Sequence, residues 1–201
     1  MTAATQDPRP RPRRDLATTR RPRSERAILD ATYQLLHEQG LGAVTVEAIA
    51  RNSGVSKVTI YKWWPNRAAV IMSAFLDAAA DALPYPEEVS HAALERRLLQ
   101  IASEFQGPMG KMIAAIIAEG QTDEDVSTAF REGYIVARRQ TGIALVKDAM
   151  RQGLIRRADP DIVLDLMYAP LYFRLLIGHQ PLSEDFVRQH VDLLLSGLQP
   201  T

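Results

Sequence analysis

The chain contains no cysteine. That excludes a disulfide framework and a thiolate zinc site, and it fits a reducing compartment, so a cytoplasmic location is expected. Missing as well is any uninterrupted apolar run of the roughly 18 residues needed to cross a bilayer. The Arg- and Pro-rich N-terminal stretch has no apolar segment of the kind that marks a secretory signal. No membrane partner is expected. Strand signals are absent too, because no run of β-branched and aromatic residues alternates with polar ones between turn residues. Constellations that carry catalysis are as scarce. The four His are scattered, and there is neither a glycine-rich phosphate loop nor a nucleophile elbow. Glu88-Val-Ser-His91 has the Glu-x-x-His spacing of di-iron bundles, but such a centre needs a second pair and two further carboxylates. No enzymatic activity, metal or cofactor is expected. A helical enzyme would require ionisable groups brought together only by folding.

Charge is present but unevenly placed. The formal net charge is zero, yet residues 1–67 hold 12 Lys or Arg against 6 Asp or Glu, and residues 68–201 hold 12 against 18. The shorter part is therefore the basic one. A duplex carries one negative charge for about every 1.7 Å of its axis, so a polyanion-binding module belongs in the first part of the chain. Residues 1–23 interleave Arg9, Arg11, Arg13, Arg14, Arg20, Arg21 and Arg23 with Pro8, Pro10, Pro12 and Pro22. With almost nothing apolar to bury, this arm is expected to be disordered and partly extended in isolation. It is suited to lying along phosphates or reaching into a minor groove.

Helical periodicity covers the remainder, and the fold class is expected to be all-α with about nine helices. A first helix is predicted over 24–39, with Ile28, Ala31, Leu35 and Leu36 on one face, Ser24 at its cap and Gly40 at its end. Thr45 is placed to cap a second helix through about Asn52, with Val46, Ile49 and Ala50 inward and Glu47 in its first turn. Ser53-Gly54-Val55 breaks the chain, Ser56 caps a third helix from Lys57 to Trp64, and Pro65 stops it. Further helices are predicted over 66–83, 91–106, 108–119, 123–151 with a break near Gly133, 160–177 and 183–198, joined by turns such as Pro84-Tyr85-Pro86 and Gly178-His179-Gln180-Pro181. Three domains are expected: the arm at 1–23, a small helical module at 24–70 and a helical body at 71–201.

Two short helices can cross at a wide angle only with a small residue at the crossing and a turn tolerant of unusual backbone angles. Ala50 and Gly54 supply these. Ile49, Val55, Ile60 and Trp64 give the apolar contacts, which turns Val58, Thr59 and Lys62 of the third helix outward, flanked by Lys57, Tyr61 and Trp63. A cation, a hydroxyl, an apolar group and an aromatic with a polar tip suit a major groove. The run Gly54-Val55-Ser56-Lys57-Val58-Thr59-Ile60-Tyr61-Lys62-Trp63-Trp64-Pro65-Asn66-Arg67 closely resembles the DNA-binding domain of the tetracycline-repressor (TetR) family of bacterial regulators, over about 24–69. The resemblance implies a helix-turn-helix module followed by a helical ligand-binding and dimerisation domain. It implies that Lys57, Val58, Thr59 and Trp63 contact base edges or nearby backbone, and that Tyr61 contacts phosphate. By the same resemblance Arg67 contacts phosphate or caps the domain. Thr45 stands where a hydroxyl and a helix N-terminus bind phosphate. Lys62 and Trp63 depart from the His and aromatic of many members, so an operator sequence does not carry over.

In this family the last two long helices pair with those of a second subunit, which implies a homodimer through 160–177 and 183–198. Ile162, Leu166, Ala169 and Leu176 form one apolar stripe, and Phe186, Val187, Val191, Leu194, Leu195 and Leu198 another. Pro170 is expected to kink the first of these helices or open space beside it. Candidate pocket residues are Met72, Phe75, Phe105, Met109, Met112, Ile116, Phe130, Tyr134, Met150, Tyr168 and Phe173, whose soft and aromatic side chains favour a small apolar or amphipathic ligand. Arg138, Arg139 and Arg174 are candidates to meet an acidic one. The expectation is a repressor that binds a palindromic double-stranded operator and is released by a small molecule. The alternatives are an activator of the same build, or a small-molecule-binding protein with a vestigial reading head.

Overall fold

The computed structural model describes residues 23–82 and 90–200; the Arg/Pro-rich arm, apart from Arg23, and the Pro84-Tyr85-Pro86 turn lie outside them. The described residues contain no strand. They form α1 (Arg23–Gln39), a 3₁₀ turn (Leu41–Ala43), α2 (Val46–Ser53), α3 (Lys57–Trp63), α4 (Arg67–Ala82), α5 (His91–Gln106), α6 (Pro108–Glu119), α7 (Glu124–Phe130), a π-helical turn (Arg131–Val136), α8 (Ala137–Arg151), α9 (Pro160–Ile177) and α10 (Glu184–Gly197). Because α7, the π turn and α8 run on without a break, the described residues make nine helices. The expected interruption near Gly133 is thus a change of helical pitch and not a break.

Local chemistry sets the boundaries. Thr45 accepts from the Ala48 N–H at 3.1 Å, Ser56 from Thr59, Ser90 from Ala93 and Ser183 from Phe186, so at each of these starts one orphan N–H has a side-chain oxygen. Ser24 is the exception: α1 begins one residue earlier, and Ser24 falls inside its first turn. Gly54 ends α2 at φ 68° and ψ 15°, a left-handed geometry that favours glycine. Trp64 is already extended, as the residue before Pro65 must be. Pro160 occupies the first turn of α9 behind the Asp159 cap, and the helix continues through Pro170.

One buried apolar cluster runs from Ile28 and Leu29 in α1 through Val70, Ile71 and Phe75 in α4 to Ile113, Ile116, Val126 and Val191 in the body. The helix-turn-helix and the body therefore share a core, and α4 passes through both. A second cluster, built on Val146, Ile155, Val163, Leu164, Leu194 and Leu198, joins α8, α9 and α10. Polar ties reinforce the junction. Arg67 Nε donates to the Val44 carbonyl at 2.5 Å and Nη2 to the Leu41 carbonyl at 2.6 Å, and the same guanidinium pairs with Glu119 at the end of α6. Asn66 caps α4 through the Ala69 N–H and donates to Asp125 at 3.0 Å.

At the corner between α5 and α6 the backbones touch. A Cβ on buried Gly110 would lie 1.9 Å from the Phe105 carbonyl oxygen. No side chain can yield there, so Gly110→Ala is expected to destabilise the chain by about 3 kcal/mol or more. Chemical denaturation of the two proteins checks this, and an unchanged midpoint would refute the close approach.

Candidate nucleic-acid interface and interior cavities

Recognition of a duplex requires a rigid helix with one face spare. Ile60 is 1 % exposed and Trp64 is buried, and the Trp64 indole Nε1 donates to Ser73 Oγ on α4 at 2.7 Å. Those two anchors, one turn apart, orient α3. Its other face is open: Val58 is 81 % exposed, Tyr61 54 % and Trp63 44 %, with Lys57 and Lys62 also exposed and Thr59 half-buried. Three large apolar side chains on one short exposed surface are what a binding face presents, since isolated folding gives no reason to leave them in water. The Lys62 ammonium lies 5.9 Å from the centre of the Trp63 ring, which keeps the cation on the same side.

The open face begins with two capped helix starts. Thr45 is exposed, and its hydroxyl, used as an acceptor by Ala48, still has a proton to donate outward. Ser56 Oγ lies 2.9 Å from Thr59 Oγ1. Lys57 Nζ donates to Glu47 Oε1 at 2.9 Å across the turn. That hydrogen bond raises the Lys57 pKa and lowers that of Glu47, each in the direction that keeps the group charged. Glu47 therefore belongs to this surface, although its position in the sequence indicates only a favourable place in the first turn of α2. Arg67, by contrast, is turned inward onto Leu41, Val44 and Glu119. In this geometry Nε and Nη2 are engaged by the carbonyls of Val44 and Leu41 and Nη1 by the Glu119 carboxylate.

The body holds two half-open cavities of about 520 and 360 Å³, within the size range of small-molecule sites. The larger lies among α5, α8, α9 and α10 and is aliphatic, with Leu94, Val146, Val163, Leu164, Met167 and Leu194 on its walls. The smaller is aromatic and gathers Phe105, Phe130, Tyr134, Tyr168 and Tyr172 from α5, α7, the π turn and α9. Arg97, Gly142, Leu145, Leu164 and Tyr168 border both. Four expected pocket residues, Phe105, Phe130, Tyr134 and Tyr168, thus meet in one place.

Other expected residues are placed elsewhere. Phe75, Met109, Met112 and Ile116 line neither cavity; each is buried in the main core, where packing uses its whole surface. Met72 joins them, and Met150 packs on the second cluster. Phe173 is 57 % exposed on the outer face of α9, against His179. Arg174 reaches neither cavity. It donates to the Pro181 carbonyl at 2.5 Å and lies over the Phe186 ring, closing the turn between α9 and α10. Arg138 and Arg139 do line the smaller cavity, but Arg139 is bound to Asp161 and Asp165 at 2.6 and 2.5 Å. Lining residues outside the expected set include Arg97, on the same face of α5 as Ile101 and Phe105, and Tyr172, whose burial pushes its hydroxyl pKa well above the usual range.

The two apolar stripes also part company. On α9, Ile162, Leu166, Phe173 and Leu176 stand exposed together with Ala169. On α10, Val187, Val191 and Leu194 are buried within the chain, as is Leu198 just after it, leaving Leu193 outside.

Comparison with known proteins follows the same division of the chain. The family profile described as "Bacterial regulatory proteins, tetR family" matches residues 28–73, and "Tetracyclin repressor-like, C-terminal domain" matches residues 90–194. The HTH-type transcriptional regulator YdeS of Bacillus subtilis is 38% identical over 186 residues, covering 90% of this chain and 94% of YdeS. Among solved structures, the TetR family transcription regulator SCO0332 superposes with a TM-score of 0.76 at 33% identity, over 89% of this chain and 100% of that one. FadR from Bacillus subtilis, solved in complex with stearoyl-CoA, shares the fold alone, with a TM-score of 0.66 at 15% identity over 87% of this chain and 99% of FadR. Sequence, architecture and relatives agree along nearly the whole length, and the chain belongs to the tetracycline-repressor family of helix-turn-helix transcriptional regulators.

Proposed function

We propose that the chain acts as a homodimeric, cytoplasmic repressor whose α3 helices read two half-sites of a palindromic operator and which a small molecule releases. The observation that carries this reading is the outward display of Val58, Thr59, Tyr61, Lys62 and Trp63 on a helix pinned by Ile60 and Trp64. Tyr61 and Lys57 are assigned to backbone contacts, and Val58, Thr59 and Trp63 to base edges. Half-sites would then lie one helical turn, about 34–36 Å, apart. Repression is the sign favoured by the match of the body to a tetracyclin repressor-like profile.

Support for the dimer comes from α9. Ile162, Leu166, Ala169, Phe173 and Leu176 recur at alternating spacings of four and three, the seam that a partner helix packs against. The buried faces of α10 are already used inside the chain, so the proposed contact rests on α9 with Leu193 at its edge.

Release is proposed to pass from the aromatic cavity to α4. Phe130 and Tyr134 line that cavity and also pack on Phe75 of α4, with the Phe75 and Tyr134 ring centres 5.0 Å apart. A ligand that moves the π turn would press on the helix that joins body to reading head. Reversing a 1:99 population needs a preference of about 10⁴-fold for one state.

Three measurements test this reading. On a fragment selected from the source genome, the double variant Lys57→Ala with Tyr61→Ala is expected to lose about tenfold or more in affinity at fixed salt with its melting temperature unchanged; undiminished binding would overturn the reading-head assignment. Glu47→Gln removes an acid from the same face and releases Lys57, so DNA affinity is expected to rise and the salt dependence to steepen by about one contact, a slope change near 0.9. Finally, Leu166→Glu with Phe173→Glu is expected to yield a folded monomer by sedimentation, with weakened operator binding. A dimer that persists would move the interface away from α9.

A further inference from the structure

We infer that the aromatic cavity is built for a flat aromatic carboxylate, with Arg97 and Arg138 taking the acid group and the rings of Phe105, Phe130 and Tyr172 enclosing the body of the molecule. The inference rests on the regulator reading above and goes beyond it by naming the ligand chemistry.

Arg97 is the origin of the argument. Among the described residues it is the one charged side chain that is buried, at 8 % exposed. Helical spacing puts Arg97, Ile101 and Phe105 on one face of α5, and all three line the aromatic cavity. A surface position would cost a guanidinium nothing in hydration, whereas this one sets it against an apolar space. Burial lowers its pKa and the nearby Arg138 charge lowers it further, while Tyr168, which is hydrogen-bonded to it, and Tyr134 act in the opposite direction.

Arg138 approaches the same space from the start of α8, its guanidinium 4.9 Å from the centre of the Tyr134 ring. Two guanidinium groups therefore border one largely apolar cavity, and their N–H groups are donors suited to an anion and not to a cation. Asp165, the carboxylate among the described lining residues, is held by Arg139. A guanidinium offers parallel N–H groups in a plane, which match the two oxygens of a carboxylate. The walls select the rest of the molecule. Phe105 and Tyr172 meet edge to face at 5.0 Å, and Phe130 and Tyr134 stack at 5.3 Å. Such pairs present both ring faces and ring edges to a further aromatic plane.

The same placement gives the ligand a lever. Arg138 Nη2 reaches the Ala79 carbonyl of α4 at 3.4 Å, a long hydrogen bond. A carboxylate competes for that donor with a charge that the carbonyl lacks, so occupancy would draw Arg138 from α4 towards Arg97.

Calorimetry on the full chain tests the inference with 2-naphthoate, its neutral isostere 2-naphthamide, 2-naphthylmethylammonium and octanoate. The carboxylate is expected to bind once per chain and about tenfold or more tighter than the amide, the scale of a charge-assisted hydrogen bond, and the cation is expected not to bind. Arg97→Met and Arg138→Met should each abolish the preference of naphthoate over naphthamide and leave naphthamide binding in place. If Arg97→Met does not fold, Arg97→Lys, expected to retain part of the preference, and Arg138→Met carry the test. Equal binding of acid and amide, or a preference untouched by the Arg variants, would overturn the acid-binding assignment; octanoate matching naphthoate would overturn the aromatic one. A parallel gel shift of the ligand-free chain on selected genomic fragments separates the two levels. Bound DNA with no naphthoate preference sinks this inference alone, and absent DNA binding sinks the regulator reading while calorimetry still decides the cavity.

Discussion

Arg67 holds one guanidinium among three segments that have no covalent reason to stay together: the turn between α1 and α2, the start of α4 and the end of α6. A planar cation with several N–H groups fixed in a fork is the side chain that can satisfy two carbonyls and a carboxylate at once. Because α1, α3 and α4 also bury Ile28, Ile60 and Ile71 in a core continuous with the body, the reading head cannot turn independently of α4. Its orientation is a property of the whole chain, which is what ligand control of DNA binding requires. The Asn66 to Asp125 hydrogen bond adds a second tie between the same parts, on the side of α7.

Much of this was legible along the chain. Caps are local chemistry, so Thr45 and Ser56 lie where a hydroxyl before a periodic run says they should. Gly54 was legible for the same reason, and so was the outward face of α3, because Ile60 and Trp64 fix the phase of a helix only seven residues long. What escaped depends on contacts between elements. Glu47 and Lys57 are ten residues apart, a spacing with no meaning in one helix, and they meet only because the turn at Gly54 folds α2 and α3 together. Arg97 keeps the helical spacing of Ala93, Ile101 and Phe105 on the buried face of α5 and Arg96 does not, but spacing alone does not say that a guanidinium will be taken inside with that face.

Apolar stripes show a related limit. Those on α9 and α10 are similar as patterns, but one is spent inside the chain and the other is left outside. Periodicity gives the phase of a buried face and is silent on whose surface buries it. The candidate pocket residues divide in the same way. Phe75, Met109, Met112 and Ile116 have the apolar side chains of a ligand site and lie in the main buried cluster, while Tyr172, chemically no different from other helix tyrosines, stands on the cavity wall.

The π turn at Arg131–Val136 has a consequence for how this cavity can evolve. An α-helix advances by about 100° per residue, so a single residue too many or too few in that stretch would rotate everything after it. Arg138, Gly142 and Leu145 would swing off the cavity wall together, and Gly142 would lose the crossing at which Leu164 already sits 2.9 Å from where a Cβ would be. Segment length is thereby as much a part of the binding chemistry as side-chain identity. Relatives that differ by one residue in this stretch should be expected to hold a cavity of another shape and charge.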